Sequence, residues 1–149
     1  MKNQYVFAAL AASIALVAGV MYLGYGLKIP APELLSVQIH EQTVRVYVAD
    51  TEEERQKGLG GFAGLESGQG MLFVFPADGE YGFWMKDMRF AIDIIWIAAD
   101  KTVVDMAENV SPDTYPNVFS PSEPARFVLE LPAGAAKAYG LSIGDKIGL

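Results

Sequence analysis

Apolar and polar residues alternate along most of this chain after residue 35. In residues 43–49, Val44, Val46 and Val48 alternate with Arg45 and Tyr47, a period of two that is typical of a half-buried strand. Similar or wholly apolar runs predict further strands at residues 37–40, 71–75, 83–86, 92–97, 102–106, 126–131 and near 147. Roughly seven or eight strands indicate a small barrel-like or two-sheet domain.

Two short helices interrupt these strands. Thr51 and Glu54 fit a capping box at the start of the first helix, and Gly58 fits the positive-φ position that ends it. The second helix is predicted in residues 132–139, which combine a proline in the first turn with several alanines and are followed by a glycine. The fold class is therefore β-rich α+β with two short helices.

A long run without charged side chains opens the chain. Residues 3–27 lie between Lys2 and Lys28, and at about 1.5 Å rise per residue such a run can cross a bilayer core of about 30 Å. We therefore predict that residues 1–27 are a membrane anchor or signal segment, an N-terminal transmembrane or signal helix in contact with the membrane through residues 5–27. A cleaved signal peptide and a buried core helix are the alternatives.

Residues 28–35 follow as a proline-containing tether, and residues 36–149 form one β-rich domain. Positive charge on Lys2 and the α-amino group outweighs Lys28 alone, which favours a cytoplasmic N-terminus. The expected location is the cytoplasmic membrane, as a single-pass protein with its C-terminal domain outside the cytoplasm. Cleavage of the segment would instead leave a secreted or periplasmic domain.

Composition excludes several classes of function. The chain has no cysteine, so it has no disulfides, thiolate metal sites or cysteine nucleophiles. From Ser36 onward, 9 Lys and Arg against 17 Asp and Glu give a charge of −8, which argues against a nucleic-acid partner. His40 is the only histidine, and the glycine-rich residues 60–70 fit neither a P-loop nor a dinucleotide fingerprint. We predict no metal site and no cofactor.

Three charged residues stand in apolar stretches: Lys86, Asp93 and Glu130. A buried isolated charge costs several kcal/mol, so these groups should be paired and hydrogen-bonded. One interpretation is a compensated network that fixes strand register. The other is the polar floor of a small-ligand pocket, because aromatic walls with a few converging polar groups are typical of such sites. The pocket would involve these further residues: Phe73, Trp84, Met85 and Arg55.

The pattern of motifs resembles the DUF192 family, prokaryotic domains of unknown function that often follow a signal or membrane segment. The resemblance covers residues 37–149 and implies a compact β-rich fold, but no activity. Where the family commonly reads Trp-Met-Lys-Asn-Thr, this chain has Asp87 and Met88 after Lys86, and an ionised aspartate cannot donate the hydrogen bond of an asparagine amide. The matching motifs are Glu54-Arg55-x-x-Gly58-Leu59, Gly70-Met71-Leu72-Phe73-x-Phe75, Phe83-Trp84-Met85-Lys86, Ile92-Asp93-Ile94-Ile95, Val128-Leu129-Glu130-Leu131 with Gly134, and Gly144-Asp145.

Two hypotheses of function remain open. The first is a non-catalytic module, tethered outside the cytoplasmic membrane, that binds an unknown small molecule or protein. The second is a hydrolase that uses Asp93 and Glu130 as an acid/base pair. Serine catalysis is disfavoured, because no Gly-x-Ser-x-Gly motif exists. If Lys86 compensates a buried carboxylate, Lys86→Met should lower thermal stability.

Overall fold

The computed structural model describes residues 34–149, in which a curled seven-stranded sheet accompanies a separate two-stranded ribbon. The predicted membrane or signal segment and most of the tether lie outside the described residues. Between residues 34 and 149, no helix is long and apolar enough to cross a bilayer. The elements are β1 (Leu35–Ile39), β2 (Gln42–Ala49), α1 (Glu52–Lys57), β3 (Gln69–Gly79), β4 (Phe83–Trp84), β5 (Ile92–Ile97), β6 (Val103–Val110), a 3-10 turn (Pro112–Thr114), β7 (Val118–Phe119), β8 (Ala125–Pro132), α2 (Ala135–Ala138) and β9 (Ile147–Gly148).

The large sheet has the order β6-β5-β8-β3-β2-β1-β9, and the ribbon pairs β4 with β7. Strands β2 and β3 run parallel, whereas the other neighbours are antiparallel. The two edges approach each other at one end, where the amide of Val103 donates to the carbonyl of Asp145 at 2.9 Å and that of Ile147 donates to Lys101 at 3.0 Å. The sheet is therefore a half-barrel, and the prediction of a β-rich, barrel-like fold with two short helices is confirmed.

Both faces of the sheet are covered by apolar side chains. Successive side chains of a strand point to opposite faces, so each central strand contributes to two clusters. All six residues of β5 are buried. The inner face includes Val103 and Ile147 from the two edges, together with Ile95, Leu129 and Leu131. The outer face is covered by connecting segments and includes Met71, Phe73, Ile94, Trp96 and Val128.

Two differences between the predicted and observed strand boundaries affect the cavity described below. Strand β3 was predicted to stop at Pro76 but continues to Gly79, with a register shift against β8 between Val74 and Gly79. The bulge removes the need for every amide of β3 to pair, so a proline fits within it. Strand β4 was predicted to reach residue 86 but ends at Trp84, because Asp87 adopts a left-handed conformation with φ 58° in the turn that follows.

The two helices begin in different ways. At α1 the predicted capping box is confirmed: the Thr51 hydroxyl accepts from the Glu54 amide at 3.2 Å, and the Glu54 carboxylate accepts from the Thr51 amide at 3.1 Å. Gly58 ends this helix with φ 48°. Helix α2 begins at Gly134, which has no side chain to cap it. Its cap comes from a distant strand.

Candidate functional site

A cavity of about 630 Å³ opens on the outer face of the sheet, between α1 and residues 81–88. Five of the seven site residues predicted from the sequence line it, and Met85 lies buried in the outer-face cluster without lining the cavity. Asp93 does not line it. The five lining residues are Arg55, Phe73, Trp84, Lys86 and Glu130.

Glu130 lies at the floor of this cavity, with only 5% of its surface exposed. Strand pairing sets it directly opposite Met71 on β3 and Ile94 on β5, so its neighbours across the sheet are apolar. Within residues 34–149, its Oε2 has no hydrogen-bond partner. Burial raises the pKa of this carboxyl from 4.5 to about 8. At neutral pH the group is therefore mostly protonated, and it offers one donor and free acceptor capacity.

Aromatic rings form the wall above Glu130. Phe73 meets Phe83 edge to face with centroids 4.8 Å apart, and Phe75 stacks on Tyr81 with centroids at 3.5 Å and planes 9° apart. The indole Nε1 of Trp96 donates to the carbonyl of Tyr81 at 2.8 Å, which fixes residue 81 against the sheet. The wall is consequently preorganised, because each ring is held by another ring or by the backbone.

Arg55 connects α1 to the sheet beside this wall. Its Nη1 donates to the backbone carbonyls of Asp50 and Val74, the second at 2.9 Å, and its guanidinium lies 5.4 Å from the centroid of Phe75. Nη2 also donates to Glu52 at 3.3 Å. The side chain is 14% exposed. Arg55 thus holds the cavity wall in place, and most of its donors are already used.

From the end of β4 onward, residues 84–86 alternate between solvent-exposed and buried side chains. Met85 is 2% exposed, whereas Trp84 is 51% exposed and Lys86 is exposed. The Lys86 ammonium lies 5.9 Å from the centroid of the Trp84 ring, and it pairs with no carboxylate of residues 34–149. The expectation of a buried Lys86 is therefore wrong. Strand β4 ends two residues earlier, so the turn at residues 86 and 87 carries the ammonium to the rim.

Asp93 lies on the opposite face of the sheet from Glu130. In the pairing of β5 with β8, Asp93 faces Leu131 and Ile94 faces Glu130, so the two carboxylates point away from each other. The predicted meeting of Lys86, Asp93 and Glu130 is therefore wrong, and so is the shared acid/base pair. Sequence alternation describes each strand separately and does not supply the register between them.

Asp93 is fully buried and hydrogen-bonded. It accepts from the amides of Asn109 at 2.8 Å, Gly134 at 3.1 Å and Ala136 at 2.9 Å. Two of these donors belong to the first turn of α2, which has no cap of its own. Asp93 is therefore a remote helix cap that also ties β6 to β5.

Asp87 stands in a turn after β4 with a left-handed backbone. Its φ of 58° is a conformation that asparagine and aspartate both tolerate better than most residues. Its carbonyl accepts from the amide of Gly61 at 3.1 Å. Gly60 lies so close to α1 that an added Cβ would be 2.9 Å from the carbonyl of Lys57. The turn and the glycine loop therefore close one end of the cavity together.

Sequence reasoning missed several lining residues. Phe75, Tyr81, Phe83 and Lys57 all contribute to the cavity. Phe75 was recognisable, because it stands two positions after Phe73 in the same strand and hence on the same face. Tyr81 comes from a connecting segment, Phe83 from the two-residue strand β4 and Lys57 from a helix, and no periodicity predicts how these side chains are oriented.

Residues 34–149 contain no set of side chains arranged to bind a metal ion. No group of three or more histidine, cysteine, aspartate or glutamate side chains is arranged to hold an ion in residues 34–149. The chemistry of the cavity therefore depends on one buried carboxyl group, aromatic faces and a charged rim.

Comparison with curated proteins identifies archaeal relatives. A UPF0127 protein of Pyrococcus abyssi (strain GE5 / Orsay) is 29% identical over 108 residues, covering 69% of this chain and 84% of the relative. A UPF0127 protein of Pyrococcus furiosus is 28% identical over 82 residues, covering 52% of this chain and 65% of the relative.

Two solved structures share the fold. A protein named as a candidate transcription regulator from Sinorhizobium meliloti 1021 has a TM-score of 0.70 and 30% identity, covering 75% of this chain and 88% of the other. A protein of unknown function from Novosphingobium aromaticivorans DSM 12444 has a TM-score of 0.75 and 26% identity, covering 82% and 89%. The family model of DUF192, described as Uncharacterized ACR, matches residues 35–149. This chain therefore belongs to the DUF192 family.

Proposed function

We propose that residues 34–149 form a binding module for a small molecule, which occupies the outer-face cavity. The observation that carries this proposal is the Glu130 carboxyl, buried at the cavity floor with an oxygen that has no partner in the described residues. A buried polar group without a partner costs about 1–3 kcal/mol, and a ligand that supplies the partner recovers that cost. The volume of about 630 Å³ falls in the range of ordinary small-ligand sites.

The rim supports the same proposal. Preorganised aromatic rings reduce the entropy lost on binding, since they are already held before the ligand arrives. Exposed Trp84 stands at the mouth, with Tyr115 5.8 Å away between ring centroids. An exposed aromatic pair beside a cavity extends the apolar surface that a ligand can cover.

We also propose that residues 5–27 tether this module to the cytoplasmic membrane with the domain outside the cytoplasm. Support for this comes from the uncharged run of the sequence alone, which lies outside the described residues. Protease protection of the full-length chain in cells tests this orientation. An exported domain is digested while the cytoplasmic membrane is still intact, whereas a cytoplasmic domain is protected until that membrane is opened.

Hydrolysis remains the weaker proposal. The raised pKa of Glu130 suits a general acid near neutral pH, and Asp87 is a second carboxylate that lines the same cavity. However, the partner expected from the sequence, Asp93, lies on the other face of the sheet. A hydrolase would need turnover that Glu130→Gln and Asp87→Asn each abolish while the fold stays intact.

Ligand screening by thermal shift tests the binding proposal with the full-length chain. A ligand at about 100 times its Kd adds about 2.7 kcal/mol to the free energy of unfolding. Gln56→Trp places a bulky ring at the cavity rim and should abolish the shift, whereas Glu53→Trp adds the same ring to α1 away from the cavity and should preserve it. Equal shifts in both variants would contradict a site in this cavity.

A further inference from the structure

The ionisable groups of the cavity lie at different depths. The floor carries the carboxyl of Glu130, which is 5% exposed, while the rim carries the ammonium groups of Lys57 and Lys86 on exposed side chains. Neither lysine pairs with a carboxylate of residues 34–149. The domain as a whole is strongly acidic, so two unpaired cations at one opening are a local departure from its average.

Other charged groups at the cavity reduce the positive excess without reversing it, because Glu52 and Asp87 line it together with Arg55, Lys57 and Lys86. From α1, Glu52 accepts from Arg55 at 3.3 Å and from Gln56 at 3.0 Å, so its charge is already engaged. From residues 81–88 come Tyr81, Lys86 and Asp87, and both charged members are exposed. Strands β3 and β5 present only apolar side chains directly across from Glu130: Met71 and Ile94.

Aromatic faces lie between floor and rim, and they attract cations in this structure. The Arg55 guanidinium lies 5.4 Å from the Phe75 centroid, and the Lys86 ammonium lies 5.9 Å from the Trp84 centroid. A desolvated ammonium beside such rings is attracted by the ring quadrupole. The wall is therefore suited to an organic cation as well as to an apolar chain.

We propose that the ligand of this cavity is a small zwitterion, an organic ammonium compound with an anionic group at its other end. The ammonium donates to the Glu130 carboxylate at the floor, and the anionic group pairs with Lys57 and Lys86 at the rim. This inference rests on the proposed binding function and specifies its ligand class.

Charge complementarity favours the zwitterion over its alternatives. An anionic group at the floor could bind only while Glu130 is protonated, because it would be repelled strongly by the ionised carboxylate in an apolar setting. A neutral alcohol could bond to the protonated carboxyl but would leave both rim cations unused. The ammonium end instead supplies donors to the oxygen that has none.

The direction of the pH dependence follows from the same geometry. An ammonium pairs with Glu130 only when the carboxyl is ionised, and burial raises its pKa to about 8. Below that pKa, the ionised fraction and hence the apparent affinity rise about tenfold for each pH unit. Aliphatic amines keep their charge over this range, since their pKa is about 10. A neutral ligand that accepts from the protonated carboxyl would bind more weakly over the same increase in pH.

Calorimetric titration of the full-length chain with matched probes tests this proposal. The probes are the ω-amino acid ε-aminocaproate, n-hexylamine, which lacks the carboxylate, and caproate, which lacks the ammonium. We expect ε-aminocaproate to bind about fivefold tighter than hexylamine, caproate to bind weakest, and both amines to bind more tightly at about pH 8 than at about pH 6.5. Binding of caproate alone, or amine affinity that falls with rising pH, would overturn the proposal.

Variants separate the two ends of the ligand. Glu130→Gln should weaken both amines by at least tenfold and remove their pH dependence, whereas Glu108→Gln, the same change on the exposed part of β6, should leave both unchanged. Lys57→Gln with Lys86→Gln should erase the advantage of ε-aminocaproate over hexylamine, while Lys137→Gln should preserve it. Circular dichroism checks that each variant folds. Amine binding unaffected by Glu130→Gln would contradict the assignment.

Failure of this inference differs from failure of the binding proposal. If some other compound binds and Gln56→Trp blocks it, while no amine probe does, then the cavity is a binding site and the zwitterion is wrong. If Gln56→Trp blocks no compound in the screen, the binding proposal itself is contradicted.

Discussion

Asp93 and Glu130 are two buried carboxyl groups on neighbouring strands, yet they differ in their hydrogen bonding and in the face of the sheet on which they lie. Asp93 is 0% exposed and accepts three backbone amides on the inner face. Glu130 is 5% exposed on the outer face, and one of its oxygens has no partner among residues 34–149. Both positions looked alike in the sequence, as single acids within apolar strands.

The difference separates a structural carboxylate from a candidate binding group. Donors around Asp93 offset the cost of burial, so that group contributes to the fold and needs nothing more. Around Glu130 the cost is not offset by the described residues, and this residue lines a cavity. An unsatisfied polar atom at a cavity floor therefore indicates function better than burial or charge does.

The largest expected effect on stability is at Asp93, the carboxylate that is fully hydrogen-bonded. Asp93→Ala should lower the free energy of unfolding by about 5 kcal/mol, because one buried and two partly buried amides lose their acceptor at about 1–3 kcal/mol each. Asp93→Asn should cost less, since it retains one acceptor oxygen. Urea unfolding measures both, with the exposed Asp113→Ala as a control expected to stay within about 0.5 kcal/mol. A loss below about 1 kcal/mol for Asp93→Ala would contradict the capping role.

The next largest effect is the pH dependence of stability that Glu130 causes. Its pKa is raised from 4.5 to about 8 on folding, so between these values the folded state holds more protons than the unfolded state. Stability is therefore greatest below the unfolded pKa, falls by up to about 1.4 kcal/mol for each pH unit, and levels off above about pH 8. The total is roughly 3 kcal/mol between about pH 5 and pH 8.

Glu130→Gln should remove this slope, because the amide does not ionise. Urea unfolding of both proteins across that pH range measures the effect, and the difference between the two curves isolates Glu130 from other titrating groups. Parallel curves would mean that Glu130 is ionised in the folded state at neutral pH.

A smaller effect is expected at the locally capped helix. Thr51→Ala should cost about 1 kcal/mol, because it removes the hydroxyl that accepts from the Glu54 amide at 3.2 Å. Thr51→Ser keeps the hydroxyl and should restore most of the loss. The comparison with Asp93→Ala tests whether a remote, fully buried cap stabilises a helix more than a local, exposed one. Equal losses in the two proteins would contradict that ranking.

The smallest effect is expected at Lys86. Lys86→Met should change the free energy of unfolding by less than about 0.5 kcal/mol, because the ammonium is exposed and compensates no buried carboxylate. The sequence alone suggested a substantial loss. A decrease in the free energy of unfolding of more than about 2 kcal/mol would contradict this expectation and support a Lys86 paired with a buried carboxylate.

Much of the fold was predictable because its signals are local. The valine alternation in β2, the capping box at Thr51 and the apolar run of β5 each depend on neighbouring residues, and all three are confirmed. Asp93 shares a face of β5 with Ile95 and Ile97, as the alternation of side chains along a strand requires, and both isoleucines lie in the inner cluster. The candidate site was less predictable, since the turn at Asp87 and the length of β3 depend on contacts far along the chain.

The sequence by itself determined the family, the β-rich class, the capped first helix and the side of its own strand on which each acid stands. Only the tertiary structure decided that Asp93 and Glu130 face opposite ways, that Asp93 caps α2, and that Lys86 lies at a rim. The physical reason is that a period of two describes the two faces of one strand, whereas the register and curvature of the sheet depend on strands that are distant in sequence. The pairing of those strands therefore decides which buried carboxyl group lies near a hydrogen-bond donor.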